Sequence, residues 1–416
     1  MLISCSKIPN KKKSALRKKA SDFAFAIYDS VSMINAEHWN RIVVHGSEFL
    51  QLPFLKVLEN EHPDNMHFHY AIIYQSDKPV AISYFQVIDF SSDSFGSNLK
   101  ESENEFSCII TDYLKKHITN HLIKSADRIN MRLLICGNAF VSGEHGFTCS
   151  PEVDKKDAVD ALTDVIYRIS DAEKLRGKIA VVLVKDFYPS SIQHTKEFEE
   201  YKYHDFLVEP NMVLEIQWNS FDEYLNAMSK KYRNRAKNII KKGAVIERKK
   251  FSVEDIKTNE KQILQLYNNV HLKAKFRMAS LTPDYFAEMK KVLADKFDFV
   301  GYYFNEKLIG FRSTFILEED IEAHFIGLDY SFNKELDLYQ NILCDYVKDS
   351  LHKKAKHLFL GRTASEIKST LGAEALELTC YIRHRNPLSN RIIKPIVDYL
   401  KPSEWVPRNP FKEISV

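Results

Sequence analysis

Two stretches of this chain are written to the same pattern, although more than two hundred residues separate them. QSDKPVAISYFQV (75–87) and FNEKLIGFRSTFI (304–316) each run strand, polar turn, strand. The turns are Ser76–Asp77–Lys78–Pro79 and Asn305–Glu306–Lys307. Each follows another alternating apolar segment, HFHYAIIYQ (67–75) and 298–304. Further on, each half has a short apolar run, IAVVLV (179–184) and HLFLGR (357–362), then a short helical segment and a strand. Such runs suit strands buried on both faces. Hairpins combined with one strand–helix–strand crossover give a mixed sheet with helices on both sides. At 416 residues the chain exceeds one ordinary core. The expectation is therefore an α/β fold made of two repeated units with mixed sheets. The first unit is expected over 25–218 and the second over 219–390. Segment 1–24 reads as a basic, disordered tail, and 391–416 as a C-terminal tail packing on the second unit.

Charge is concentrated in SKKYRNRAKNIIKKGAVIERKK (229–250), where ten Lys and Arg face one acid, Glu247. The window carries +9 in a chain whose formal charge is +3, so the remainder is net acidic. Phe221, Tyr224, Leu225, Met228, Tyr232, Ala236, Ile239 and Ile240 recur at helical spacing, which predicts one amphipathic helix. Asn219 or Ser220 caps its start, Gly243 stops it, and 244–248 reads as a strand. Lys231, Arg233, Arg235 and Lys237 fall on the basic part, which suits an anionic partner as well as a solvated face. The tail has Lys7, Lys11, Lys12, Lys13, Arg17, Lys18 and Lys19 before its first acid, Asp22. It reads as a soluble tail or as a polybasic contact with acidic lipid heads. No run has the length of a membrane span, and the N-terminus lacks a signal-peptide core. The six cysteines form no CxxC pair and no zinc-ligand spacing, so no metal is expected. These features predict a cytoplasmic protein, with peripheral contact at the inner membrane face as an option.

Four segments carry a resemblance: KKYRNRAKNIIKKGAVIER (230–248), HFIGLDYSFNKELDLYQNILCDYVKDSL (324–351), GRTASEIKSTLGA (361–373) and ICGNAFVSGEHG (135–146). With the element order, they make the chain similar to the GNAT acyltransferase superfamily, in its FemAB-like branch of two tandem GNAT-like units. The resemblance implies an N-acyltransferase that moves an acyl group from an activated donor to an amine. The implied co-substrate is acyl-CoA or another acyl thioester such as an acyl carrier protein. An aminoacyl-tRNA-dependent, peptidoglycan-type transferase and a non-catalytic binding protein on the same fold are the alternatives. One departure stands out. Ordinary GNAT enzymes grip the coenzyme A pyrophosphate on a Gly-rich turn. Here 329–339 has no glycine and three acids, Asp329, Glu335 and Asp337.

Acyl transfer to an amine needs a base, a stabilised oxyanion and a proton for the leaving group. His324, in a mostly apolar strand, reads as a hydrogen-bonded core histidine or as that base. Strict alternation would put it on one face with Glu322 and Ile326. Asp329 and Tyr330 follow the strand end, Asp329 as a cap or as an orienter of the amine. Tyr330 or Tyr339 could protonate the leaving group. Arg362 after a buried strand suits a phosphate or carboxylate. Thr363 and Glu366 read as a capping box, and Lys368 as an anion contact or plain surface. Glu144 and His145, between Gly143 and Gly146, are further catalytic candidates or an ordinary turn. The amine is placed on a lipid or cell-envelope precursor, and DNA is not expected as a partner.

Overall fold

The structure is a computed structural model that describes residues 23–91, 130–273, 280–399, 402 and 404–412. Residues 1–22 lie outside the described residues, as does 104–122, whose sequence reads as a helix.

Two compact units emerge. Among the described residues, the first draws on 23–59, 63–206 and 379–399, and the second on 60–62, 207–378 and 402–412. The division therefore does not fall simply at 218/219, and the described part of 391–416 is split between the units. The reason is visible in the sheets. In the first unit the strands run β1 (Phe23–Tyr28), β2 (Met66–Gln75), β3 (Lys78–Ser91), β4 (Asn130–Cys136), β6 (Val181–Phe187) and β13 (Glu374–His384). A short β5 (Phe147–Cys149) also pairs with β3. In the second unit they run β8 (Glu247–Lys250), β9 (Phe297–Phe304), β10 (Lys307–Ile316), β11 (Asp320–Leu328), β12 (His357–Phe359) and β7 (His204–Glu215).

The two orders have the same plan. Three antiparallel pairings lead to a parallel pair, β4 with β6 and β11 with β12, closed by an antiparallel sixth strand. That sixth strand comes from the opposite half of the sequence. Residues 379–384 of β13 pair with β6, and 213–215 of β7 pair with β12. The hairpin turns agree as well. Ser76 and Asp77, like Asn305 and Glu306, all have left-handed φ (48, 63, 49 and 62°). Two consecutive residues in that region match the right-handed twist of the strands they join.

Each sheet builds its own core. In the first unit, helix Lys155–Ala172 lays Leu162, Val165 and Ile166 onto Phe85, Leu134 and Val182. In the second, helix Leu338–His352 packs Ile342, Tyr346 and Val347 against Ile309, Ile321 and Leu358. Gly327 in β11 leaves room for the backbone of Leu266 on helix Glu260–His271, where a Cβ would collide.

The basic segment is not one helix. Helix Phe221–Ala227 starts at the expected cap, Ser220, whose side chain accepts from Glu223 N–H. It ends before Met228 and Ser229, which are extended, and a second helix, Lys230–Lys242, begins there. The interruption comes from the far end of the chain. Met228 bridges to Phe411, and Ser229 N–H donates to the Pro410 carbonyl at 2.8 Å. Phe411 rests on Trp218 and Tyr224, with ring centroids 4.9 and 6.0 Å away. Gly243 caps the second helix, and β8 follows a short 3-10 turn.

Candidate functional site

Strand β12 delivers the chain into a strained loop. Gly361, Thr363 and Ala364 have φ of 72, 65 and 50°. For a β-branched threonine that region is costly, and such strain persists only where the surroundings impose it. The surroundings include Lys368, on helix Ser365–Ser369. Its ammonium donates to the carbonyls of Gly361 (3.0 Å) and Arg362 (2.5 Å). The expected capping box is absent: Ala364 occupies the cap position with no side-chain bond, and Glu366 instead binds Arg408.

Lys368 is neither plain surface nor an exposed anion contact, being only 4% exposed. Burial lowers its pKa to about 7, against the opposing charges of Glu209 and Glu322. Glu322, buried on β11, is pushed well above the carboxylate range by burial first and then by Asp320. Desolvation thus drives both members of this pair toward neutrality. A lysine poised near neutral pH can give up or take a proton in the range where amines must be deprotonated.

Beside this lysine lies a cleft of about 220 Å³, lined by Glu209 and Pro210 from β7, Thr363 and Ser365 from the loop, and Pro402 and Trp405 from the C-terminal segment. The same segment ties Arg408 N–H to Ser369 Oγ (3.1 Å) and Pro410 to the first turn of the basic helix. One short run of chain therefore links the cleft to that helix.

The ten cations of 229–250 divide into two groups. Lys242 pairs with Asp337 (3.0 Å), Arg248 with Asp345 (2.7 Å), Lys249 with Asp255 (2.7 Å) and Lys250 with Asp298 (3.7 Å). Arg248 also donates to the Gly243 and Ile246 carbonyls and to Asn341. Lys230, Lys231, Arg233, Arg235, Lys237 and Lys241 form no ion pair among the described residues. All but Arg233, which is half-buried, are exposed, opposite the buried Ala236 and Ile239.

The other candidates lie elsewhere in their units. His324 is held by Tyr285 Oη (3.2 Å) and Ser313 Oγ (3.1 Å), so both ring nitrogens are engaged. Phe315 and Phe325 stand 4.5 and 4.2 Å away, centroid to centroid, and burial holds its pKa well below the usual value. This is the environment of a packing histidine. A bulge opposite Ser313 also breaks the expected alternation, and Ile326 joins Ala323 on the core side. Asp329 caps helix Tyr330–Leu336 through Ser331 N–H and pairs with Lys307 at 2.8 Å. Lys273 Nζ sits 3.3 Å from the Tyr330 ring centre, and Tyr339 packs on the second unit's core. Burial raises both phenols.

In the first unit, Glu144 accepts from Tyr188 N–H at 2.5 Å, and burial raises its pKa. His145 bonds the Ser142 carbonyl (2.8 Å), and burial lowers its pKa to about 4. Arg362 and Lys368 are thus joined at the loop, and His324, Asp329, Tyr330, Tyr339, Glu144 and His145 are each engaged in local structure. Sequence reasoning missed Glu209, Glu322 and Trp405. Only Glu322 left a signal, as a carboxylate inside the apolar run 321–328.

Among the described residues, no group of three or more His, Cys, Asp or Glu could hold a metal ion, and no helix is long and apolar enough to cross a membrane. No family model matches the sequence, and no curated protein matches it. Solved structures do. The crystal structure of FemX aligns with a TM-score of 0.51 at 10% identity, over 87% of this chain and 98% of that one. A tandem GNAT protein from the clavulanic acid biosynthesis pathway aligns at 0.50 and 8% identity, over 88% and 99%. The fold is thus a mixed α/β fold of tandem GNAT-like units, FemAB-like in plan.

Proposed function

We propose that this chain is a transferase that moves an acyl or aminoacyl group from a polyanionic activated donor to an amine, at the loop 361–368 of its second unit. The observation that carries the reading is the buried Lys368, poised near neutral pH beside an open cleft. In its neutral form Lys368 takes a proton from the incoming ammonium. The freed amine attacks the donor's carbonyl carbon and a C–N bond forms. The C–S or C–O bond to the donor then breaks, and the leaving thiolate or alkoxide takes the amine's second proton. Holding both substrates together removes the need for a covalent enzyme intermediate. The six free cations of helix Lys230–Lys242 suit the phosphates of acyl-CoA or aminoacyl-tRNA, or the acidic surface of an acyl carrier protein. A lipid or cell-envelope precursor is the acceptor class we favour.

The test incubates the full chain with labelled acyl-CoA, acyl carrier protein or aminoacyl-tRNA and an amine panel, with mass spectrometry of the products. A new amide that disappears in Lys368→Met is the expected result. Absence of any amide with all three donors overturns the reading in favour of a binding protein, and full activity in Lys368→Met overturns Lys368 as the base. Loss of activity on nuclease treatment, with a steep salt dependence, assigns the donor to tRNA.

A further inference from the structure

We infer that the cleft walled by Glu209 and Trp405 is a subsite for an organic ammonium group, the amine-bearing end of the acceptor. This deepens the transferase reading and rests on it for the identity of the occupant.

The argument starts from charge. Glu209 makes no hydrogen bond or ion pair among the described residues, yet it lines the cleft, half-buried. The other carboxylate of the lining, Glu366, is held by Arg408. Lys368 spends its donors on two loop carbonyls and lies behind the wall rather than in it. The lining therefore has an unbalanced negative charge. An anion entering here would face Glu209, whereas a cation would neutralise it.

The remaining walls fit the same ligand. Trp405 is half-buried against the second unit's core, and an indole face is the best aromatic partner for a cation. Pro210 and Pro402 offer apolar surface with no donor of their own. Thr363 and Ser365 supply hydroxyls that can accept from an ammonium. Size narrows the ligand further. A volume of about 220 Å³ falls below the 300 Å³ or so at which pockets for whole drug-sized ligands begin. It admits an aminoalkyl end rather than a nucleotide. The Glu209 charge also acts on Lys368, so the cleft and the group proposed as base share one electrostatic environment.

The C-terminal segment is then part of specificity. Pro402 and Trp405 form one wall, and Arg408 fixes that wall through Glu366 and Ser369.

Titration of the full chain with n-butylammonium chloride, followed by the Trp405 indole N–H resonance (assigned with Trp405→Phe), tests this without a donor. Matched titrations use n-butanol and sodium butyrate. Saturable millimolar binding of butylammonium is expected, with at least about tenfold weaker binding of both controls. Glu209→Gln should weaken butylammonium about tenfold, and Trp405→Leu several-fold. Equal binding of butanol, preference for butyrate, no movement of the indole resonance, or an unchanged Glu209→Gln overturns the inference. Ammonium binding without amide synthesis leaves the subsite standing and sinks the transferase reading. Amide synthesis with an acceptor KM unchanged in Glu209→Gln does the reverse.

Discussion

At the residue scale the molecule turns on Lys368, and pH is its handle. With Lys368 as base, activity should rise with pH through about 7 and level off above it. Lys368→Arg cannot lose its proton in that range, so it should remove the ascending limb and most of the rate, as read from pH–rate profiles. Stability carries a second, independent signature. The group titrates at about 7 when folded and at its ordinary 10.5 when unfolded. Between those values the unfolded chain holds the extra proton, so stability should climb as pH rises from about 7 toward 10.5. The gain should be on the order of a few kcal/mol, and Lys368→Met should flatten it in urea unfolding at pH 7 and 9. His324 behaves differently, because burial already keeps it neutral. It was legible in the sequence as an oddity, but Tyr285 and Phe315, which close around it with the adjacent Phe325, come from other elements that no local pattern specifies.

At the scale of elements, the basic segment separates into a part that binds and a part that holds. Lys231, Arg235 and Lys237 changed together to Gln should leave the thermal midpoint nearly unchanged, because exposed charges contribute little to stability. The same change should weaken the donor's KM and flatten its salt dependence. Arg248→Ala should do the opposite. It strips partners from Asp345, Asn341 and two carbonyls, at a cost of about 2–3 kcal/mol in chemical denaturation, with donor KM little altered. The charge run was evident in the sequence; the division within it was not. Asp337, Asp345, Asp255 and Asp298 are distributed over nearly a hundred residues, and only packing brings each to its cation.

At the scale of the whole molecule, the described C-terminal residues 404–412 are built into the second unit. Deleting 402–416 removes Phe411 from Trp218 and Tyr224, frees Met228 and Ser229, and takes away one wall of the cleft. The apolar stripe of 221–240 is then free to run as one helix. The truncated chain should keep or gain helical circular dichroism at 222 nm, yet melt on the order of 5 °C lower. Loss of helical signal instead would mean that the segment supports the helices rather than interrupting them. The sequence alone determined the repeated α/β plan, because alternation, turns and crossover runs are local patterns fixed by backbone geometry. It also determined where the positive charge is concentrated, in 229–250. Only the tertiary structure decided which strand completes which sheet, where the predicted helix breaks, and which lysine loses its solvent. Each of those depends on contacts between residues far apart in the chain, where burial and backbone hydrogen bonding override local preference.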